Sequence, residues 1–321
     1  MKYVVLLMLA GALISAIVPD RARAEDDMDT LPALHTLWDY FQPAESRARF
    51  ETIRPQAEQS GDREYYLSLL TQIARTYGLE GNFDQAHALL DTVASELSDS
   101  MPVANVNYLL ERGRAYRSGG DPAKGLPLFT EAFDLAAQTH QDYLAIDAAH
   151  MVALATDSAE ERMAWSMKGI SLAESSSDPR ARHWLGSICN NVGWDYHERG
   201  AYDSALTMFE RALAAREEEG DQQTIDIAKW CIGRTYRSLG RIDDALAIQT
   251  ALRAAHDSAG TDDGYVREEL GELYLLKDDS TGAAEQFRAA YRLLSHDTWL
   301  MNNESERMAR MKRLGGVTQE D

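Results

Sequence analysis

Arginine and tryptophan at a repeated spacing are the residues of this chain best suited to chemistry, and that chemistry is recognition. Two positions before each of five evenly placed tyrosines stand Arg75, Arg114, Trp194, Arg234 and Glu272. One helical turn earlier come Asn190 and Trp230, with Asn191 beside the first; one position after the tyrosines come Arg117, His197 and Arg237. Arginine forks hold carboxylates by two-point contacts, and tryptophan supplies broad apolar area; both are enriched at binding hot spots. Catalytic patterns do not emerge. His35, His87, His140, His150, His183, His197, His256 and His296 form no H-E-x-x-H and no Cys/His cluster with metal spacing. No phosphate-cradling G-x-x-x-x-G-K-[ST] and no G-x-S-x-G elbow occurs. Asp262-Asp263-Gly264 hints at a calcium loop, but Ala259 and Thr261 stand where acidic ligands are needed, so it reads as a turn. No enzymatic activity, metal or cofactor is expected.

The elements that would position these residues form a repeat. Gly113-Arg114-Ala115-Tyr116-Arg117-Ser118 returns 120 residues later as Gly233-Arg234-Thr235-Tyr236-Arg237-Ser238. The tyrosines fall at 77, 116, 196, 236 and 274, so the interval of 80 hides a copy without one. Three before each tyrosine stands a small residue (Ala74, Gly113, Gly193, Gly233, Gly271), one turn away on the same helical face. Four after it stands Gly81, Gly120, Gly200, Gly240 or Asp278, suited to a residue just past a helix end where φ is positive. Nine after it comes Ala86, Gly125, Ala205, Ala245 or Ala283, and four further on Leu90, Phe129, Phe209, Gln249 or Phe287. Each copy reads as helix, tight turn, helix, unable to bury its apolar face without a stacked neighbour.

Cys189-x-x-Val192-Gly193-x-x-Tyr196 followed by Ala205-x-x-x-Phe209 resembles the tetratricopeptide pattern W-x-x-L-G-x-x-Y…A-x-x-x-F. The resemblance covers roughly residues 64–295 in five clear copies. The family's closing proline is absent, with Ser98, Ala137, Glu217, Asp257 and Ser295 in its place, which accounts for a period near 40. It implies an all-α right-handed α-solenoid of stacked antiparallel helix pairs, with the first helices lining the concave surface. Arg75, Arg114, Arg117, Asn190, Asn191, Trp194, His197, Trp230, Arg234 and Arg237 would then share a groove. The tryptophans would carry little of the packing there. Glu268, Glu269 and Glu272 would make one end of the groove negative. The Lys and Asn clamp that the family's best-known variant places on a peptide carboxylate is not reproduced.

Around the repeats, Met1-Lys2-Tyr3, the apolar run Val4 to Val18 and Ala22-Arg23-Ala24 follow the order of a secretory signal peptide. The run is 15 residues, short of a membrane span, and cleavage after Ala24 is expected. Residues 25–63 form an N-terminal extension holding a worn helix pair, Leu31 to Phe41 and Ala44 to Glu58, in which Pro55 should kink or shorten the second member. Residues 141–176 read as the degenerate copy, and 296–321 as a capping helix with Met308, Met311 and Leu314 on one face, then a tail. The mature termini should be disordered. The mature chain carries 29 basic and 51 acidic side chains, a formal charge of −22, which repels nucleic acid. Cys189 and Cys231 are the only cysteines and read as buried free thiols.

These features together suggest a non-catalytic scaffold of the periplasm or cell exterior that binds a protein or peptide in the groove, with no nucleic acid and no stable membrane insertion. The alternative is a receptor for a small anionic ligand or signalling peptide in the same place.

Overall fold

A computed structural model describes residues 31–318. Its helices are α1 Pro43–Gln59, α2 Arg63–Leu79, α3 Phe83–Ala94, α4 Pro102–Ser118, α5 Pro122–Gln138, α6 Asp142–Ala155, α7 Ala159–Ser175, the short α8 Pro179–Arg182, α9 Trp184–Glu198, α10 Tyr202–Glu219, α11 Gln222–Ser238, α12 Ile242–Ala259, α13 Gly264–Leu276, α14 Ser280–Leu294, the short α15 Thr298–Asn303 and α16 Ser305–Leu314. No strand occurs among the described residues. Two compact units share the chain, one up to Ile188 and one from Cys189 onward, the division falling inside α9. Each is a stack of antiparallel helix pairs, the α-solenoid architecture the repeat implies. The expected leader lies outside the described residues.

Helix starts follow local chemistry. Pro43, Pro102, Pro122 and Pro179 sit in first turns, where no amide donor is needed. Asp62, Asp221, Asp263 and Asp279 cap α2, α11, α13 and α14 by accepting from backbone amides of the first turn. Asp263 is thus a helix cap. The turn inside each pair is equally regular. Gly81, Gly120, Gly200 and Gly240 have φ of 77°, 96°, 75° and 75°, and Asp278 takes the same left-handed form at 59°. In every copy the tyrosine carbonyl accepts from the amide five residues on: Asn82, Asp121, Ala201, Arg241 and Asp279, at 2.8–3.0 Å.

Packing explains the small residue before the tyrosine. A Cβ on Gly113 would stand 2.5 Å from Phe129, and one on Gly193 2.6 Å from Phe209; on Gly271 it would meet Phe287 at 3.0 Å. Each ring from a second helix lies on the bare backbone of the first. Phe129, Phe209 and Phe287 are fully buried as a result. Where the second helix carries Leu90 instead, the first helix carries Ala74, and both are buried.

The N-terminal extension departs from the expected helix pair. Leu34–Leu37 is one 3-10 turn, and the backbone then runs extended through Trp38. Residues two apart share a side of an extended chain, and Trp38 and Tyr40 stack at 4.5 Å between centroids with planes 2° apart. A helix would have sent the two rings to different sides. The partner helix α1 runs unbroken past Pro55 to Gln59, so that proline costs one backbone hydrogen bond without ending the helix. At the other end Met308 and Met311 of α16 are buried and close the last pair.

A substitution pair tests the ring-on-glycine contact. Gly193→Ala should lower stability by about 1–3 kcal/mol through overpacking against Phe209. Gly78→Ala, in a helix with nothing within 4 Å of the added carbon, should raise it by about 0.5–1 kcal/mol. Urea unfolding of both variants checks this; equal effects would refute the contact's role.

Candidate functional site

The ten candidate residues fall into two groups, one in each unit. In the unit ending at Ile188, the first helices of three successive pairs are joined by ion pairs. Arg75 of α2 lies 3.3 Å from Glu111 of α4, Arg114 lies 2.5 Å from the same carboxylate oxygen, and Arg114 also pairs with Asp147 of α6. Glu111 and Asp147 are only 3% and 4% exposed. Charges of alternating sign therefore run from helix to helix across a shielded face, where each would be costly alone and is stabilised by the next. Glu111 Oε2 and Arg75 Nε have no hydrogen-bond partner. Arg117 directs its guanidinium at the Leu154 carbonyl, 3.5 Å away near the end of α6, where a cation suits the helix dipole.

The other unit holds Asn190, Asn191, Trp194 and His197 on α9, with Trp230, Arg234 and Arg237 on α11. The tryptophan rings stand 6.0 Å apart. Trp194 meets Phe209 edge-on at 5.1 Å, and the Trp230 indole donates to the Tyr265 carbonyl at 3.1 Å. Both are half-buried against the cluster of Ala205, Phe209, Cys231 and Ile232. The expectation that they carry little packing is therefore corrected: Trp194 braces the very ring that lies on Gly193. Asn190 is fully buried, its Oδ1 facing the Cys231 thiol at 3.5 Å. Asn190 Nδ2 and Asn191 Oδ1 have no hydrogen-bond partner, while the Trp194 indole hydrogen-bonds with the Cys231 thiol. Cys189 and Cys231 are both buried and form no disulfide, and burial pushes the Cys231 thiol up to about 12.

The arginines of this unit are also matched. Arg237 grips Glu269 through two nitrogens, one at 3.0 Å, and Arg234 approaches the same carboxylate at 3.6 Å. Glu269 is buried, which raises its pKa against the pull of Arg237. Ser238 links the group, accepting from Arg234 at 2.8 Å and standing 3.0 Å from His197 Nε2. The end expected to be negative is neutralised. Arg307 of α16 holds Glu268 at 2.8 Å, and Arg310 holds Glu272. The sequence reading passed over these two arginines; their spacing of three, beside Met308 and Met311, was the signal for a charged edge next to an apolar stripe. It also passed over Glu111 and Asp147, because carboxylates are common in so acidic a chain. Among the described residues no group of three His, Cys, Asp or Glu side chains could hold a metal ion, and no helix is long and apolar enough to cross a membrane.

Comparison with known proteins agrees with this architecture. A tetratricopeptide-repeat family model matches residues 185–219, the copy formed by α9 and α10. No curated protein sequence matches the chain. Solved structures match in fold. BtubC from P. vanneervenii aligns with a TM-score of 0.56 at 20% identity, covering 73% of this chain and 94% of that one. A signal transduction ATPase with a tetratricopeptide repeat sensor, from Pyrococcus horikoshii, aligns at 0.64 and 13% identity, over 83% of this chain and 41% of that one. Aspartyl phosphate phosphatase F from Bacillus subtilis aligns at 0.58 and 17% identity, over 91% and 80%.

His197 gives this face a pH dependence. Burial, then Arg234 and Arg237, lower its pKa from 6.5 to about 4, so the folded ring stays neutral where an unfolded one takes up a proton. Its contribution is fully present above pH 6.5 and is lost as pH falls toward 4. After allowance for solvent screening, about 2 kcal/mol should disappear across that window. Urea unfolding from pH 7 to 4.5 should show a flatter profile for His197→Gln than for the parent; parallel profiles would disprove the assignment.

Proposed function

We propose that this chain, a tetratricopeptide-repeat protein by its fold and by the repeat at residues 185–219, is a non-catalytic scaffold that holds a protein or peptide segment against its first helices. The observation that carries the reading is the pair of unpartnered polar atoms beside the paired tryptophans. Asn190 Nδ2 is a donor and Asn191 Oδ1 an acceptor, both without partners. Buried polar groups left unpaired cost about 1–3 kcal/mol each. A polypeptide backbone offers both an acceptor and a donor at every residue, while the indole faces supply apolar area. A small anion is the poorer fit. Arg75, Arg114, Arg234 and Arg237 each already face a buried carboxylate, and a competing carboxylate would have to break that pairing at high cost. The formal charge of −22 after leader removal disfavours nucleic acid.

The working place in this reading is the periplasm or the cell exterior, reached by cleavage after Ala24. The support is the basic start, the short apolar run and the alanines at 22 and 24.

Two measurements test the proposal. Asn191→Ala removes the side-chain amide and Trp194→Phe the indole N–H while keeping most of the packing, so each should weaken partner capture from the source cell's envelope extract about tenfold. Their urea midpoints should stay close to the parent's. Undiminished capture by both variants would overturn the polypeptide reading, and a melting point that climbs with a small dicarboxylate would favour the anion receptor. Mass spectrometry of the native protein should find Glu25 at its start; an intact Met1 in the membrane fraction would overturn export with cleavage.

A further inference from the structure

The stretch before α1 behaves like a bound peptide. Tyr65, in the first turn of α2, donates its hydroxyl to the Pro32 carbonyl at 2.6 Å. Arg49 of α1 donates to the Leu37 carbonyl at 3.0 Å. The Trp38 indole donates to Gln72 Oε1 of α2 at 2.9 Å, a buried bond, and the ring meets Phe50 edge-on at 5.2 Å. Tyr40 lies flat on Trp38, and the Arg75 guanidinium stands 5.0 Å from the Tyr40 ring centre and 5.6 Å from that of Trp38. Phe41, next along, is 70% exposed. The stretch is thus held by side chains of α1 and α2 that reach its peptide carbonyls and its two stacked rings. A helix packed by its own apolar stripe would use neither device.

Its anchor is also the head of the first charge ladder. Arg75 contacts both rings on one side and Glu111 on the other, and Glu111 passes the charge to Arg114 and Asp147. A guanidinium over an aromatic face is held by the ring's charge distribution, the more strongly as water is excluded. Burial raises the Tyr40 pKa against the pull of Arg75 and Arg114.

We propose that the first-helix face of this unit is a binding surface for a segment carrying two aromatics one residue apart, and that the chain's own residues 31–41 occupy it in cis. Trp38 and Tyr40 are the pair, Gln72 reads the indole, and Arg75 takes the stacked rings. A tethered occupant competes at an effective concentration in the millimolar range. An outside segment with the same aromatic pair gains the surface only by displacing it. This rests on the reading of the first-helix face as a binding surface, but it uses no outside partner. Its failure would leave capture through Asn191 and Trp194 untouched.

The test uses the full chain with a protease site built in at Gln42, cut after folding. A fluorescein-labelled peptide of residues 31–41 is then titrated against cut and uncut protein. The cut protein should keep its helical dichroism and take up the peptide. Uncut protein should bind it at least tenfold more weakly, as should cut protein offered a peptide with Trp38→Ala and Tyr40→Ala. Loss of helix on cutting would show the stretch to be part of the core and overturn the proposal. So would a folded, cut protein that takes up no peptide, or equal binding of the two peptides.

Discussion

A flat ring lying on a bare backbone is the contact on which three of the helix pairs depend. Gly113, Gly193 and Gly271 carry no side chain, so Phe129, Phe209 and Phe287 can approach to where a Cβ would otherwise stand. That approach sets the distance between the two helices of a pair. The left-handed residue after the first helix, Gly120, Gly200 or Asp278, reverses the chain at the one place from which the second helix can deliver its ring to that gap. The two features need each other: the turn without the glycine would leave the helices apart, and the glycine without the turn would be a weak spot in an exposed helix.

With the backbones of a pair locked through one face, the first helices are left to present the residues beside the glycine to their counterparts in the next pair. This is where the charge ladders form. Arg75, Glu111, Arg114 and Asp147 make one; Arg234, Arg237 and Glu269 make another, continued by Glu272 with Arg310. Such pairs add little net stability, since desolvation offsets attraction, but any misaligned neighbour would leave a charge buried and alone. They therefore act on register more than on strength. An excess of acidic side chains over the whole chain is compatible with this, because the matched arginines are concentrated on these helices.

The helix pairs, their turns and the glycine spacing were legible in the sequence because each is a local rule repeated several times. Gly193 three before Tyr196, Gly200 four after and Phe209 thirteen after could be read as one device. What repetition could not reveal was pairing between copies. Arg114 looked like a free fork because one of its carboxylates, Asp147, sits on another helix, in the very copy that lacks the tyrosine marker. The stretch from Leu31 to Phe41 misled for a related reason. Leu34, Leu37, Trp38 and Phe41 have helical spacing, yet the stacking of Trp38 on Tyr40 and the pull of Gln72 and Arg75 outweigh a helix too short to hold itself.

The copy that breaks the rule is instructive. Gly233 should face an aromatic ring, but the position holds Gln249, whose Nε2 lies 2.6 Å from where the missing Cβ would be and donates to the Trp230 carbonyl at 3.3 Å. A buried amide in place of phenylalanine gives up apolar contact and leaves its own oxygen unpartnered. What it gains is a hold on the backbone that carries Trp230. That tryptophan sits one turn before Arg234, 6.0 Å from Trp194 and bonded to the next pair through Tyr265. Local rules tend to fail where function claims the residue. Here the exception falls in the pair that supports the paired tryptophans, within reach of Asn190 through Cys231. The Gln249 amide thus fastens the helix that carries Trp230 at the cost of the ring contact the other pairs make.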